Sequence, residues 1–138
     1  MANEFMRRCK EVGFQKFTDM ATSYWQLVQY VIKELPADRV VYFLSHIERD
    51  NNGNEKCKTI GKMLDEKITV EGMFTVVLKT HVQDRRYTFV TQTNGMDTVK
   101  SPMGMFDQLE IDNDLALVDK TIREYYGIET GGQHEQTA

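Results

Sequence analysis

The sequence predicts an α/β protein in which a small mixed sheet of about three strands is flanked by helices. One long segment carries apolar residues at helical spacing, and three short runs are rich in β-branched and aromatic residues. Helices and strands that alternate along a chain pack as layers around one core. With 138 residues, of which 41% are hydrophobic and 28% are charged, we expect a single domain over residues 1–128. The polar segment 129–138 is expected to be a disordered tail.

The helical segment is Lys16–Leu35, and Pro36 ends it because proline cannot continue a helix. The positions that form its apolar stripe are Phe17, Met20, Ala21, Tyr24, Leu27, Val28, Val31, Ile32 and Leu35. A shorter helix is expected over Asn3–Lys10.

The run Val40–Leu44 is apolar on both faces, which is typical of an interior strand. A polar loop is expected over Ile47–Asn54, with a turn at Asn51-Asn52-Gly53. Apolar residues in Lys56–Lys67 share a helical face, so we predict a helix there.

Two further strands are predicted at Met73–His81 and Arg86–Thr93, joined by a hairpin turn at Val82–Arg85. Asn94-Gly95 marks another turn. The segment Lys100–Ile111 is expected to be irregular.

The last predicted element is a helix that Asn113 or Asp114 caps and that Gly127 ends. Its apolar stripe consists of Leu115, Val118, Ile122 and Tyr125.

Composition excludes several classes of protein. The net charge of −4 argues against broad affinity for nucleic acid. The longest apolar run is far too short to span a membrane, so no membrane partner is expected. The two cysteines, Cys9 and Cys57, form no C-x-x-C motif and suit a reducing compartment, which predicts a cytoplasmic protein.

No catalytic or cofactor motif is present in the sequence. Gly53–Thr59 imitates a phosphate-binding loop, but it is one residue short and has Cys57 where the second glycine belongs. His46, Glu48 and Asp50 can share one side of an extended chain, but solvated loop residues explain them better than a metal site does. We therefore expect no metal, no cofactor and no enzymatic activity.

Two charged clusters are candidate binding surfaces. Basic residues that can contact nucleic acid or a partner are Lys56, Lys58, Lys62, Arg85 and Arg86. Tyr87 and Phe89 follow the arginines, but strand alternation predicts that both rings point into the core. The acidic residues Asp107, Glu110, Asp112 and Asp114 precede the last helix; they either favour its N-terminus or form an acidic surface for a partner.

Four blocks, Val40–His46, Lys58–Lys67, Gly72–Leu78 and Lys100–Phe106, resemble in order the C-terminal half of the RecA-like, AAA-type nucleotide-binding proteins of bacteriophages. The resemblance implies a partial RecA-like fold that lacks the half carrying the phosphate-binding loop. It also implies that His46 and Lys100 stand where such proteins sense nucleotide, and that the loop from Ile47 to Gly61 lies where they contact single-stranded DNA.

The missing half would leave one side of the strand Val40, Val41, Tyr42, Phe43 and Leu44 unpaired. An unpaired strand edge adds a strand from a partner or a second copy, so we expect a protein partner or a homodimer at this edge.

Two functions follow from these expectations. The first is a non-catalytic interaction protein of phage origin, such as an anti-defence inhibitor of the anti-CRISPR type. The second is the C-terminal part of a phage recombination or replication ATPase that handles single-stranded DNA and hydrolyses ATP only when another chain supplies the phosphate-binding half. We favour the first, because the chain begins at Met1 and ends in a polar tail, as a whole gene product would.

Overall fold

The computed structural model describes residues 15–58 and 70–128, which form a mixed α/β structure with two α-helices and two small antiparallel sheets. These residues fall into two compact units. The first draws on Met1–Leu35 and Phe43–Phe74, and the second draws on Pro36–Tyr42 and Thr75–Ala138. The α/β class is confirmed. Every pairing among the described strands is antiparallel, whereas the sequence predicted a mixed sheet. The RecA-like fold and the single domain stay predictions.

In the first unit, helix α1 spans Gln15–Glu34, as its apolar spacing predicted. Ala21 and Val28 are buried and Tyr24 is half-buried, so the predicted stripe is the face that packs. Its flanks are less covered than the pattern indicates, since Leu27 and Ile32 remain exposed. The predicted helix Asn3–Lys10 lies outside the described residues.

The predicted strand Val40–Leu44 is wrong, because these residues pair with no other described segment and form no strand. The Phe43 ring instead packs edge-on against Tyr24, with centroids 6.4 Å apart, and against Phe74, at 5.2 Å. Tyr42 belongs to the second unit, and Leu44 is 91% exposed. Apolar composition favours an extended backbone here, but no described segment lies alongside to supply the backbone hydrogen bonds that a strand requires.

The segment predicted as a polar loop is half of a β-hairpin. Strand β1, Ile47–Arg49, pairs antiparallel with strand β2, Glu55–Cys57. The turn between them lies where it was predicted, with Gly53 at φ 87°. The helix predicted from Lys56 does not begin there, since that residue is in β2; the rest of that prediction, residues 59–67, lies outside the described part of the chain.

A short 3-10 helix, Val70–Met73, lies near the end of the first unit, so the strand predicted from Met73 does not begin there.

In the second unit, strand β3 spans Lys79–Gln83 and strand β4 spans Arg86–Val90, so the predicted hairpin is confirmed. Both strands are shorter than expected, and β3 includes Val82, which was predicted to lie in the turn. Asp84 and Arg85 form the two-residue turn of this hairpin with φ of 51° and 63°, positive values at both positions as in a type I′ turn.

Strand β5, Glu110–Asp112, pairs antiparallel with β4. We did not predict this strand, since we expected Lys100–Ile111 to be irregular. Thr91, which follows β4, holds the residues just before β5 through hydrogen bonds. Its backbone N–H donates to the Leu109 carbonyl at 2.9 Å, and its fully buried hydroxyl donates to the Gln108 carbonyl at 2.7 Å. The buried hydrophobic residues of this unit are Phe89, Val99, Met105 and Val118.

Helix α2, Leu115–Tyr126, begins and ends as predicted. The Asp114 carboxylate accepts from the Ala116 N–H, and Gly127 ends the helix at φ 64°, where its N–H donates to the carbonyls of the last turn. Arg123 links α2 to the segment Pro36–Tyr42 of the same unit, since its guanidinium donates to the Asp38 carbonyl at 3.0 Å and to the Asp119 carboxylate at 2.7 Å. Among the described helices, none combines the length and apolar character needed to cross a membrane.

Candidate binding surface

The two residues proposed as remnants of a nucleotide sensor lie in different units. In the first unit, the His46 carbonyl accepts the Lys58 N–H at 2.6 Å, just outside the β1–β2 hairpin. In the second, the Lys100 backbone exchanges two hydrogen bonds with Val77, at 2.8 and 3.0 Å. What the structure records for both residues is a backbone role, and the sensor function stays a prediction.

The basic residues of the β1–β2 hairpin face acidic residues of the same hairpin. Lys56 lies 3.7 Å from Glu48, its cross-strand partner, and Arg49 forms an ion pair with Glu55, which also raises the pKa of Arg49. Such pairs neutralise charge locally, so this hairpin offers less positive potential than its lysine and arginine content implies. Lys62 lies outside the described residues.

The turn of this hairpin is organised by Asp50. One carboxylate oxygen accepts the N–H groups of Asn52 and Asn54, both at 2.8 Å, and the other accepts the Asn54 amide at 2.9 Å. These hydrogen bonds lower the pKa of Asp50. The Asp50–Glu55 stretch is therefore a self-capped turn, and the described residues contain no cluster of three metal-ligand side chains.

Cys57 lies beside a buried carboxylate in the same unit. Its N–H donates to the Glu71 carboxylate at 2.5 Å, and Glu71 is almost fully buried. Burial raises the pKa of the Cys57 thiol, and the charge of Glu71 and its hydrogen bond to the thiol raise it further. A thiol held protonated is a poor nucleophile.

The β3–β4 hairpin exposes the ring of Tyr87, which we predicted to lie in the core. Phe89 is buried as predicted, but Tyr87 is 63% exposed. Both rings lie on the same face of the sheet, but Tyr87 is one residue from the strand end, where the core no longer reaches. Tyr87 therefore stands in solvent directly after Arg85 and Arg86, and the prediction that it points into the core is wrong.

The acidic residues before α2 have partners inside the second unit. Glu110 accepts the Thr88 hydroxyl at 3.0 Å and lies 3.3 Å from Nδ1 of His81. Asp112 lies 3.7 Å from Arg86, and Asp114 caps the helix. Asp107 is exposed. The helix-capping role is thus confirmed for Asp114, while an acidic partner surface stays a prediction.

The His81–Glu110 pair has part of the geometry of an acid–base site. A carboxylate on Nδ1 orients the ring and leaves Nε2 outward, as in many catalytic histidines. Within the described part of the chain, the hydroxyl on this pair is that of Thr88, and it donates to the Glu110 carboxylate, where it cannot serve as a nucleophile for Nε2. The three side chains therefore form a cross-strand polar cluster that links β3, β4 and β5.

The most exposed apolar side chain in the described residues belongs to a hydrogen-bonded turn. Pro102–Met105 forms a turn in which the Met105 N–H donates to the Pro102 carbonyl at 3.1 Å and Gly104 adopts φ 79°, as in a type II turn. Met103 is the first central residue and is 94% exposed.

Helix α2 holds this turn. The Tyr125 hydroxyl donates to the Met103 carbonyl at 3.2 Å, and the Tyr125 ring meets Tyr126 edge-on at 5.1 Å. Met103, Tyr125 and Tyr126 define what we call the Met–Tyr surface. We predicted an irregular segment here; the one sequence signal for a type II turn is Gly104, which stands at the position that requires a positive φ.

No family model matches the chain, and neither a curated protein nor a solved structure matches it. The described residues define a small mixed α/β protein.

Proposed function

We propose that this protein is a non-catalytic interaction protein that acts by binding another protein through the Met–Tyr surface. The observation that carries the proposal is the turn at Met103, which exposes 94% of an apolar side chain while a hydrogen bond from Tyr125 fixes the backbone beneath it. An apolar side chain on a backbone that is already held in place loses little further entropy when a partner covers it.

The chemistry of this surface supports a protein partner. Methionine and tyrosine are enriched in protein–protein interfaces, where tyrosine supplies rigid contact area and methionine adapts to an irregular partner. Tyr125 and Tyr126 are each about half exposed, so their rings remain accessible beside the turn. With the resemblance to phage proteins, this favours an anti-defence inhibitor of the anti-CRISPR type that acts in the cytoplasm of the host cell.

The experiment measures binding of the purified protein to a panel of purified bacterial defence nucleases, with and without Met103→Ala/Tyr126→Ala. We expect the double variant to weaken binding to the recognised nuclease by about tenfold or more. Leu44→Ala is the matched control, because Leu44 is an equally exposed apolar residue of the other unit. Binding that is lost equally in both variants, or no binding to any member of the panel, contradicts the proposal.

A second function is favoured by one observation, the exposed ring of Tyr87 beside Arg85 and Arg86. Exposed aromatic rings next to basic residues stack on the bases of single-stranded DNA. This supports the C-terminal part of a recombination or replication ATPase that another chain completes. Fluorescence anisotropy with a labelled oligothymidylate tests it. Tyr87→Ala should then weaken binding, whereas Tyr126→Ala should leave it unchanged; no binding by the unaltered protein would exclude this function.

A further inference from the structure

Strand β3 is an edge strand, since β4 is its only neighbour among the described strands. The backbone groups of β3 that point away from β4 follow from the ladder. Tyr87 and Thr91 of the β4 region bond toward β5, because the Tyr87 carbonyl accepts from Asn113 and the Thr91 N–H donates to Leu109. Alternate residues of β4 therefore bond toward β3, and through the register they pair with Lys79, His81 and Gln83. The N–H and C=O groups of Thr80 and Val82 consequently face outward.

This edge has the features of a strand that accepts another strand. Thr80 and Val82 are exposed, with 55% of Val82 accessible. The strand pairs with β4 in an unbroken register of successive partners, so no bulge twists its edge away. It contains neither proline nor glycine. The usual devices that block edge-to-edge pairing are thus absent from Lys79–Gln83, apart from the lysine at its start.

We propose that β3 pairs antiparallel with β3 of a second copy of this chain, about a two-fold axis at His81. In this register the outward groups of Thr80 meet those of Val82 in the partner copy, and the reverse pair forms on the other side of the axis. Lys79 then stands opposite Gln83, and His81 stands opposite its own copy at the axis, each ring beside the Glu110 carboxylate of its own chain; no lysine or arginine opposes another. The edge is self-complementary in hydrogen bonding and in charge.

The other edge of the same sheet shows why β3, and not β5, is the self-pairing edge. By the same alternation, Glu110 and Asp112 have their backbone groups outward on β5. An antiparallel pair centred on Ile111 would oppose Glu110 with Asp112 twice, and like charges directly opposite each other destabilise a sheet. The result for β3 is a continuous sheet of six strands across the dimer, in place of the dimer that the sequence expected at Val40–Leu44. This inference is independent of the proposed Met–Tyr surface.

The test is sedimentation velocity on a concentration series of the full chain and of two double variants. In Thr80→Lys/Val82→Lys the introduced charges repel across both pairs, and we expect the dimer to weaken by about tenfold or more. In Thr80→Lys/Val82→Glu each introduced lysine meets a glutamate of the second copy, so dimerisation should be retained. A register shifted by one residue at the axis would set like charges opposite each other in this second variant, so its behaviour reports the register.

Tyr87→Lys is the matched control, because Tyr87 is as exposed as Val82 and lies on the same face, but its backbone is inside the sheet. Thermal melts of each variant show that it remains folded. The proposal is supported if the lysine–lysine variant alone dissociates. It is overturned if the unaltered chain is monomeric throughout the series, if both double variants dissociate equally, or if Tyr87→Lys dissociates while the lysine–lysine variant does not. Concentration-dependent polymers in place of dimers would indicate head-to-tail pairing and also overturn it.

Discussion

The hydroxyl of Tyr125 donates a hydrogen bond to the backbone carbonyl of Met103, across 3.2 Å between helix α2 and the Pro102–Met105 turn. The last turn of a helix thus fixes a loop that carries the most exposed apolar side chain of the described residues. The recorded contact between α2 and this turn depends on one atom, the hydroxyl oxygen of Tyr125. Removing the Tyr125 hydroxyl should therefore weaken the proposed partner surface while every apolar atom of Met103, Tyr125 and Tyr126 stays in place.

Tyr125→Phe removes that hydroxyl and keeps the ring. We expect the free energy of unfolding to fall by about 0.5–1.5 kcal/mol, the usual contribution of one hydrogen bond. The amide resonances of Gly104 and Met105 should shift toward their values in an unfolded chain, because the Met105 N–H closes the turn; NMR of ¹⁵N-labelled protein measures these shifts. Tyr126→Phe is the control, because its hydroxyl bonds to no other described residue. Equal shifts in both variants would show that the hydrogen bond does not hold the turn.

The thiol of Cys57 should become more reactive when Glu71 loses its charge. Burial is the larger cause of the raised pKa and persists in Glu71→Gln, but the negative charge that also raises the pKa is removed. The pH at which iodoacetamide labels Cys57 at half its maximal rate should therefore move downward. Mass spectrometry of the labelled peptides separates Cys57 from Cys9. Glu48→Gln, at an exposed carboxylate of the same hairpin, should leave the profile unchanged, and an upward move in Glu71→Gln would contradict the assignment.

Alkaline pH should destabilise the first unit. The pKa values of Cys57 and Tyr24 are both raised in the folded state, in each case by burial first. Between the unfolded and folded pKa of each group the folded state holds more protons, so stability is full below the unfolded pKa and falls as pH rises through the folded pKa. Since free thiols titrate near pH 8.5, melting temperatures should begin to fall at about that pH.

Cys57→Ser removes the titrating thiol. The melting temperature of this variant should therefore decrease less over the pH range in which thiols titrate, below the range in which the Tyr24 phenol titrates. Tyr24→Phe should reduce the decrease only at higher pH. If the unaltered protein and Cys57→Ser lose stability in parallel across the alkaline range, the thiol does not carry the effect.

The parts of the fold that local chemistry dictates were predictable from the sequence. Helix α2 has its capping aspartate and terminal glycine at the predicted positions, and the β3–β4 turn lies where expected. Val40–Leu44 was not predictable, because its composition fits a strand equally well and only the tertiary packing of Phe43 decides against one. Strand β5 was missed for the opposite reason: two acidic residues flank its one apolar position, and pairing with β4 makes it a strand.

For the candidate surfaces, too, the sequence predicted some features and could not predict others. Sequence alone found the charged residues, but it did not show that Lys56 and Arg86 lie beside Glu48 and Asp112. Such pairing depends on cross-strand register, which short strands with polar faces specify weakly. Exposure of Tyr87 could not be predicted because alternation gives the face of a residue, and not how far along the strand the core extends.

Acid should open the β1–β2 hairpin through Asp50. Its pKa is lowered in the folded state by hydrogen bonds, first from the Asn54 side chain. The stability that the Asp50 carboxylate contributes is therefore fully present above its unfolded pKa, near 4. It is lost as pH falls through its folded pKa. The amide resonances of Asn52 and Asn54 should lose their folded positions over that range, as NMR during acid titration would show. Asp50→Asn should make these resonances insensitive to pH, whereas Glu48→Gln should not.

Val118 should carry a large share of the stability of the second unit. It is 1% exposed on helix α2, at the position where the predicted apolar stripe meets the core. Val118→Ala removes two buried methyl groups without adding a polar atom, so the free energy of unfolding should fall by about 1.5–3 kcal/mol in urea titrations. Leu117→Ala, one residue away on the exposed side of the same helix, should cost less than about 0.5 kcal/mol. Similar costs for the two would mean that α2 packs through a different face, and a change in the slope of ΔG against urea in Val118→Ala would mean that the unit no longer unfolds as a whole.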